Sequence, residues 1–247
     1  MIALTIAGFD PSAGAGILND IKTFTALKVY GTAAITALTA QNPNRVADIH
    51  PVPPEFIEEQ IDLIMEYLPI EHAKTGMLYS EDIIKTVTKK IKEYKLKTVT
   101  DPVMIAESGS PLSTNGTIKA LKKHLLKECI LVTPNLQEAE ALSNTKIKTI
   151  KDAEKAAKKI GKICNVIITG GHLKGKNILF NGKIKIFEEK LIKSRNTHGS
   201  GCSFSAAILA YLTKGYSLEE SIKMAAKFVK EAIRHGRWGT LNQFWEL

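Results

Sequence analysis

Apolar runs of strand length alternate with amphipathic runs of helix length along most of the chain. Strands are predicted near residues 2–7, 33–38, 71–75, 97–101, 129–133 and 165–169. Helices are predicted near residues 14–28, 54–67, 81–94, 115–127, 136–142 and 151–162. This alternation is typical of βαβ units, and it predicts a mainly parallel sheet covered by helices.

A barrel of eight parallel strands is the competing architecture for a chain of 247 residues. The segment 177–187 holds an Asn-Gly pair between two strand-like runs, which indicates a β-hairpin. Because an antiparallel hairpin fits an open sheet better than a barrel, we expect an open α/β sheet with an antiparallel edge. No repeat or flexible linker marks a boundary, so residues 1–247 are predicted to form one domain.

Composition and charge argue against several classes of protein. Hydrophobic residues make up 44% of the chain, enough for a sizeable core. Lys and Arg outnumber Asp and Glu by 34 to 25, but the lysines are scattered over polar helix faces, which favours a solvated surface over a nucleic-acid site. The three cysteines form no C-x-x-C pair, which suits the cytoplasm. The first residues predict a buried strand and no membrane-spanning segment.

Two glycines flank a small hydroxyl residue in the stretch formed by Gly199, Ser200, Gly201 and Cys202, just before an alanine-rich helical run. We expect these residues to form a loop at the helix N-terminus, where free N–H groups and the helix dipole favour an anion. An ordinary turn before a core helix is the alternative. Cys202 is the catalytic candidate, because a helix N-terminus should lower the thiol pKa from roughly 8.5 and make it partly thiolate near neutrality.

Oxygen-bearing side chains follow successive predicted strands. Asp101 ends one strand, and Asn135 and Glu138 open the helix after the next. Each alone is a cap or turn residue, but together they predict a site for hydrated Mg²⁺ beside phosphates. Thr169 and Gly171 belong to a glycine-rich turn that resembles a P-loop but lacks its Ser/Thr and its helix, so we expect only backbone contact with a nucleotide there.

A second glycine-rich turn, residues 8–17, follows the first strand and enters a helix. It fails the dinucleotide fingerprint because Asn19 stands at the third glycine position. Its place still predicts backbone approach to a small ligand. After the next strand, Gln41 carries an amide that can donate to and accept from one planar ligand edge, unless it caps backbone instead. Met77 is either core filler or a pocket wall.

In these motifs the chain resembles the hydroxymethylpyrimidine/phosphomethylpyrimidine kinases of thiamine biosynthesis, in the ribokinase superfamily. The motifs that carry the resemblance lie in residues 3–16, 35–42, 74–78, 101–104, 133–138, 170–172 and 196–202. Each is weak alone, but in this order they are specific. The resemblance implies a three-layer α/β/α sandwich, a homodimer, and ATP-dependent phosphorylation of the pyrimidine and then of its monophosphate with Mg²⁺.

The resemblance also implies roles for individual residues. The glutamine that matches Gln41 hydrogen-bonds the aminopyrimidine in that family, and the cysteine that matches Cys202 faces the hydroxyl group. Sugar-kinase relatives carry an aspartate there that acts as a base. The residues implied to shape the pyrimidine pocket are Gly8, Ala15, Met77 and Val103.

The chain departs from the family pattern at several positions. Thr169 and Glu107 stand where the family commonly has lysines, so positive charge facing the phosphates is reduced. Ala13 replaces a glycine, and Ser200 replaces a threonine while keeping the hydroxyl. These departures leave open a sensor that binds the pyrimidine without catalysis. A pyridoxal or pyridoxine kinase of the same superfamily also stays open, because the B6 vitamers offer a similar flat heterocycle with a hydroxymethyl group.

Overall fold

The computed structural model describes residues 1–106, 109–170, 173, 175–188 and 192–246. Its centre is a nine-stranded sheet with the order β3-β2-β1-β4-β5-β6-β7-β8-β9. The strands are β1 (Ile2–Phe9), β2 (Tyr30–Asn42), β3 (Arg45–Pro51), β4 (His72–Thr75), β5 (Lys97–Thr100), β6 (Cys129–Val132), β7 (Val166–Ile168), β8 (Lys176–Phe180) and β9 (Ile184–Glu188). The pairs from β2 through β7 are parallel, and β3, β8 and β9 run antiparallel to their neighbours.

Eight α-helices accompany these strands in the described chain, and the last two follow β9. They are α1 (Gly16–Ala26), α2 (Pro54–Tyr67), α3 (Glu81–Glu93), α4 (Thr117–Ala120), α5 (Leu136–Ser143), α6 (Ile150–Ile160), α7 (Ser200–Thr213) and α8 (Leu218–Arg234). A π-helical turn, Leu121–Leu125, and a 3₁₀ turn, Leu126–Glu128, continue α4. None of the described helices is long and apolar enough to span a bilayer.

Successive strand residues pack into cores on opposite faces of the sheet. Leu131 and Ile167 belong to the cluster under α1, α7 and α8, whereas their neighbours Val132 and Ile168 belong to the cluster under α5 and α6. This alternation is the period of two expected of a strand that is covered on both faces. The predicted three-layer α/β/α sandwich is therefore confirmed.

Most elements lie where the sequence predicts them, but one strand, β3, was not predicted. The Asn-Gly hairpin is confirmed as β8 and β9, and Gly182 lies in its turn with φ +92°. Strand β3 was missed because most of its side chains are exposed, as on an edge strand, and give no apolar alternation. The helix predicted over 115–127 is divided into α, π and 3₁₀ turns.

Candidate active site

Loops at the carboxyl ends of the parallel strands, together with the start of α7, line one cleft of about 620 Å³. This is the edge where open α/β sheets bind ligands. The cleft contains every predicted site residue that the structure describes: Gly8, Ala15, Gln41, Met77, Asp101, Val103, Asn135, Glu138, Thr169, Gly199, Ser200, Gly201 and Cys202. Gly171 and Glu107 lie outside the described residues. The roles of the residues in the cleft stay predictions.

Helix α7 begins at Ser200, immediately after a glycine in the left-handed region. Residues 200–202 therefore form the first turn of the helix, and the prediction that they form a loop before it was wrong. Gly199, with φ +83°, turns the chain in a single residue. A Cβ at this position would overlap the carbonyl oxygen of Gly14, so the loop after β1 packs directly against the helix start.

Two backbone donors in the first turn of α7 are available to a ligand. The Ser200 N–H donates to the Thr197 carbonyl oxygen at 2.9 Å. The N–H groups of Gly201 and Cys202 have no acceptor within the described part of the chain, and both residues line the cleft. Free N–H groups at the positive end of a helix favour an anion.

The Cys202 thiol lies between the backbone and a carboxylate. The Gly16 N–H and the Asp101 carboxylate lie close enough to Cys202 to influence its pKa. Burial raises the pKa of Cys202 well above its usual range; the Lys74 ammonium opposes this, and the carboxylates of Asp101 and Asp20 reinforce it. The prediction of a partly ionised thiolate was wrong, because these effects outweigh the helix N-terminus.

An ion pair that the sequence analysis missed lies under the cleft. The Lys74 Nζ donates to both carboxylate oxygens of Asp20 at 2.9 Å, and neither side chain is exposed to solvent. The same Nζ lies 3.8 Å from the Asp101 Oδ2. Burial disfavours the charged ammonium, but the attraction of Asp20 prevails and the pKa of Lys74 is raised. A cation is therefore fixed beside Asp101.

A signal for this pair was present in the chain. Asp20 stands on the stripe of helix 14–28 that also carries Ile17 and Phe24, where an apolar residue is expected. A charged residue on a buried stripe requires a partner of opposite charge. Which lysine supplies the partner depends on how α1 packs on the sheet, so sequence reasoning could not name Lys74.

Asp10 joins the loop after β1 to the loop before α7. Its Oδ1 accepts hydrogen bonds from the N–H and hydroxyl of Ser12, and its Oδ2 accepts from the Ala15 N–H at 2.9 Å. The His198 Nε2 lies 2.9 Å from the same Oδ2. Burial raises the pKa of Asp10, but these hydrogen bonds outweigh it and the pKa is lowered. Asp10 therefore holds together two loops that line the cleft.

One end of the cleft, which we call the acceptor end, has an apolar wall and an uncommitted amide. Met77 is buried against Val103, and a Cβ on Gly8 would lie 2.9 Å from the Met77 sulfur, so only glycine lets the wall pack this closely. Gln41 is half-buried, and its amide has no hydrogen bond within the described residues. The alternative that Gln41 caps backbone is therefore not supported.

The other end, which we call the nucleotide end, joins a capping box to an apolar helix face. The Asn135 side chain accepts from the Glu138 N–H, and the Glu138 carboxylate accepts from the Asn135 N–H, both at 2.9 Å. Both residues therefore cap α5 and also line the cleft. Thr169 donates its N–H to the Pro134 carbonyl oxygen. The opposite wall consists of Phe204, Ala226, Val229, Lys230 and Ile233.

Asp101 and Glu138 fit the chemistry of a Mg²⁺ site. Burial, reinforced by the charge of Asp101, raises the pKa of Glu138 to about 8, and burial also raises the pKa of Asp101. A divalent cation would relieve the cost of keeping both ionised. No group of three or more His, Cys, Asp or Glu among the described residues could hold a metal alone. Two carboxylates suit Mg²⁺, which usually keeps several waters and binds substrate phosphates.

Comparisons with known proteins agree with this site. The phosphomethylpyrimidine kinase family model matches residues 10–242. The chain is 42% identical over 241 residues to the hydroxymethylpyrimidine/phosphomethylpyrimidine kinase of Bacillus subtilis, covering 94% of this chain and 89% of that protein. It is also 42% identical to the thiamine biosynthesis bifunctional protein ThiED of Geobacter sulfurreducens, covering 94% of this chain but only 49% of that protein.

A solved structure, the ADP complex of Bacillus subtilis pyridoxal kinase, superposes with a TM-score of 0.88. It is 39% identical and covers 98% of this chain and 94% of that chain. The match of the family model and the identity to whole-length relatives confirm the resemblance on which the sequence analysis relied. The chain belongs to the phosphomethylpyrimidine kinase family, and it is a phosphotransferase with a ribokinase-like α/β fold.

Proposed function

We propose that this protein transfers the γ-phosphoryl group of ATP to 4-amino-5-hydroxymethyl-2-methylpyrimidine and then to the resulting monophosphate. The observation that carries the proposal is that one cleft holds the uncommitted Gln41 amide and the free N–H donors at the start of α7. A planar amide can donate to and accept from one edge of an aminopyrimidine. The donors of Gly201 and Cys202 can receive the transferred phosphoryl group.

Phosphoryl transfer asks the protein mainly for positioning and for stabilisation of charge on the equatorial oxygens. The first turn of α7 supplies the N–H groups for this. Cys202 faces the acceptor hydroxyl in this proposal and takes up its proton. Since the thiol is itself protonated, it must pass its own proton onward, and the neighbouring Asp101 carboxylate is the proposed acceptor.

Mg²⁺ would be held by Asp101 and Glu138 through water and would neutralise charge on the polyphosphate when bound. Asn135 and Thr169 are proposed to contact ATP at the same end. The apolar face formed by Ala226, Val229 and Ile233 is suited to the adenine ring. ATP is thus the co-substrate, and the chain's own residues orient it toward the acceptor end.

A pyridoxal kinase is the second candidate, favoured by the similarity to the Bacillus subtilis pyridoxal kinase structure. Pyridoxal offers another flat heterocycle with a hydroxymethyl group. Gln41 supports the pyrimidine, because the amide can pair with both a ring nitrogen and the neighbouring amino group. The pyridine ring of pyridoxal carries no such amino group.

The test is an incubation of the protein with Mg-ATP and either the pyrimidine or pyridoxal, with the products separated and identified by mass. We expect pyrimidine mono- and diphosphate, and a kcat/KM for pyridoxal that is lower by about 10-fold or more. A higher kcat/KM for pyridoxal would contradict the proposed substrate. The absence of any ATP-dependent product would favour the sensor instead.

Gln41→Met tests the same assignment from the side of the protein. The substitution keeps the size of the side chain and removes the amide, so we expect the KM for the pyrimidine to rise about 10-fold, the value of one or two lost hydrogen bonds. Turnover of pyridoxal serves as the matched control and should change less. Equal changes for both substrates would show that Gln41 does not select the pyrimidine.

We also propose a cytoplasmic homodimer, as the family resemblance implies. Helix α2 exposes Phe56, Leu63 and Tyr67, and such a cluster of apolar side chains is suited to a protein interface. Sedimentation velocity at micromolar concentration is the measurement, and a single species of about 27.1 kDa would contradict the dimer.

A further inference from the structure

The chain that follows α8 packs against the loop that leads into α7. We call residues 236–245 the C-terminal brace and residues 195–199 the entry loop. The Asn196 side chain uses both ends of its amide on the brace: its Nδ2 donates to the Gly236 carbonyl oxygen at 2.8 Å, and its Oδ1 accepts from the Gly239 N–H at 2.9 Å. The His198 N–H donates to the Gly239 carbonyl oxygen at 3.1 Å. Three hydrogen bonds thus join the brace to the entry loop.

The brace makes a second, deeper contact below the first turn of α7. Gln243 is buried, and its amide nitrogen lies 2.5 Å from the Asn19 side chain and 3.3 Å from the Ser203 hydroxyl. Ser203 follows Cys202 directly, and its hydroxyl also contacts Thr23 of α1 at 3.2 Å. Gln243 therefore ties the brace to the two helices that enclose the acceptor end.

The brace is itself fixed to α8. The Asn242 N–H donates to the Ala232 carbonyl oxygen at 3.0 Å, and Leu241 is buried in the core cluster. The ring of Trp245 lies 4.9 Å from the ring of Phe228 and 6.5 Å from that of His235. A segment with this anchorage can hold a loop in place, whereas a frayed terminus cannot.

The entry loop is held on its other side by Asp10. The His198 Nε2 lies 2.9 Å from the Asp10 Oδ2, so the loop is fixed between the brace and the turn after β1. Asn196 and Gln243 do not line the cleft. They can influence the reaction only by placing the N–H groups of Gly201 and Cys202, and a displacement of about 1 Å in such groups can cost about 10²-fold in rate.

We propose that the C-terminal brace belongs to the catalytic apparatus, and that Asn196 and Gln243 are positioning residues that hold the start of α7 where it receives the transferred phosphoryl group. The proposal rests on the function proposed above for the first turn of α7. It assigns a task to the last residues of the chain, to which the family resemblance gives no role.

The test compares Asn196→Ala and Gln243→Met with Asn165→Ala, which removes a side-chain hydrogen bond to the Ile130 carbonyl oxygen and lies outside the brace, the entry loop and the cleft. We expect kcat to fall about 10- to 100-fold in the first two variants, as for misplaced catalytic groups. The KM for the acceptor should change less than about twofold, because the pocket around Gln41 is untouched. The control should keep the wild-type kcat.

Asn196→Asp provides the conservative comparison. It keeps an acceptor for the Gly239 N–H and loses the donor to Gly236, so its kcat should lie between those of the wild type and Asn196→Ala. Hydrogen exchange of amides 197–203 gives a readout without substrate, and exchange should be faster in Asn196→Ala and Gln243→Met than in the control. Should Asn196→Ala fail to fold, Gln243→Met and Asn196→Asp carry the test.

Unchanged exchange of amides 197–203 in the folded variants would overturn the proposal, and so would a kcat equal to that of Asn165→Ala. A wild type that phosphorylates pyridoxal and not the pyrimidine would overturn only the proposed substrate. The same variants would then be measured with pyridoxal, and the exchange result would stand unaltered. Failure of the brace and failure of the proposed function are therefore separate results.

Discussion

At the acceptor end of the cleft, each of two buried carboxylates is paired with a basic side chain. At the nucleotide end, one wall is an apolar helix face. Asp20 is paired with Lys74 and Asp10 with His198. Across the cleft, Lys230 has no ion pair or hydrogen bond within the described residues. A network of this kind fixes atoms to one geometry, while an apolar wall accepts a flat ring by contact area. The contacts that fix atomic positions are thus concentrated around the acceptor and the start of α7.

Gly199→Ala should cause the largest loss of activity at the acceptor end. The residue has φ +83°, and a Cβ would overlap the Gly14 carbonyl oxygen, so the helix start and the loop after β1 must separate. We expect kcat to fall by about 10³-fold, as for lost oxyanion donors. Steady-state assays measure this, with circular dichroism to confirm folding.

Gly215→Ala is the matched control for the backbone strain alone. Gly215 has φ +89°, but a Cβ there would meet no atom within 4 Å. We expect a loss of stability of about 1–2 kcal/mol from the left-handed conformation and an unchanged kcat. A comparable loss of kcat in both variants would show that strain, and not the contact with Gly14, is responsible.

Cys202→Ala tests the proton transfer at the acceptor end. The first acceptor is an alcohol that must lose a proton, and the second is an ionised phosphate, so the first transfer should slow by about 10²-fold and the second by less. In the proposed relay the Asp101 carboxylate must be ionised to receive the proton, and burial raises its pKa, so the wild-type rate of the first transfer should grow as pH rises and Asp101 ionises. The variant should lack this rise.

Separation of mono- and diphosphate over a range of pH gives both rates. Equal losses in the two transfers would contradict the role of Cys202 as a proton acceptor and would leave it a positioning residue. In that case the acceptor end would differ from the nucleotide end in geometry only.

The parts of the site that depend on residues close together in the chain were predictable from the sequence. The glycine-rich stretch at the start of α7, and the capping residues Asn135 and Glu138, follow from spacings of a few residues. The two networks at the acceptor end are different, because Asp20 and Lys74 are 54 residues apart and Asp10 and His198 are 188 apart. Such partners are brought together only by the packing of helices on the sheet.

The error about the Cys202 thiol has the same origin. The effect of the helix N-terminus on the thiol pKa depends on neighbouring residues in the chain, and the prediction included it. Burial and the carboxylates of Asp101 and Asp20 come from tertiary structure, and they reverse the direction of the pKa shift. Fold class was predictable because the alternation of strands and helices repeats along the whole chain, whereas a pKa depends on a few particular neighbours.

Glu138→Gln examines the capping box at the nucleotide end. In the folded protein the pKa of Glu138 is raised from 4.5 to about 8, so the folded state binds more protons than the unfolded state between these values. The free energy of unfolding of the wild type should therefore fall as pH rises through this range, with an effect on the order of a few kcal/mol. Gln removes this titration and can keep the capping box.

Denaturant unfolding at pH 5 and pH 8 without Mg²⁺ measures the effect. The variant should gain stability relative to the wild type at pH 8 and not at pH 5. Its kcat with Mg-ATP should fall about 10-fold, the size of effect expected for a residue that acts on a metal through water. Stability that does not depend on pH in either protein would contradict the raised pKa, and an unchanged kcat would contradict the proposed Mg²⁺ site.

Lys230→Met should have the smallest effect, because it changes the less constrained end. The substitution removes a cation and keeps an apolar stem of similar length against Val229 and Ile233. We expect the KM for ATP to rise about threefold, the value of one solvent-accessible charge, and this difference to shrink at high salt. The KM for the acceptor should stay the same. A rise of 100-fold in the KM for ATP would show that the nucleotide end depends on a fixed ionic contact, and the contrast between the two ends would no longer hold.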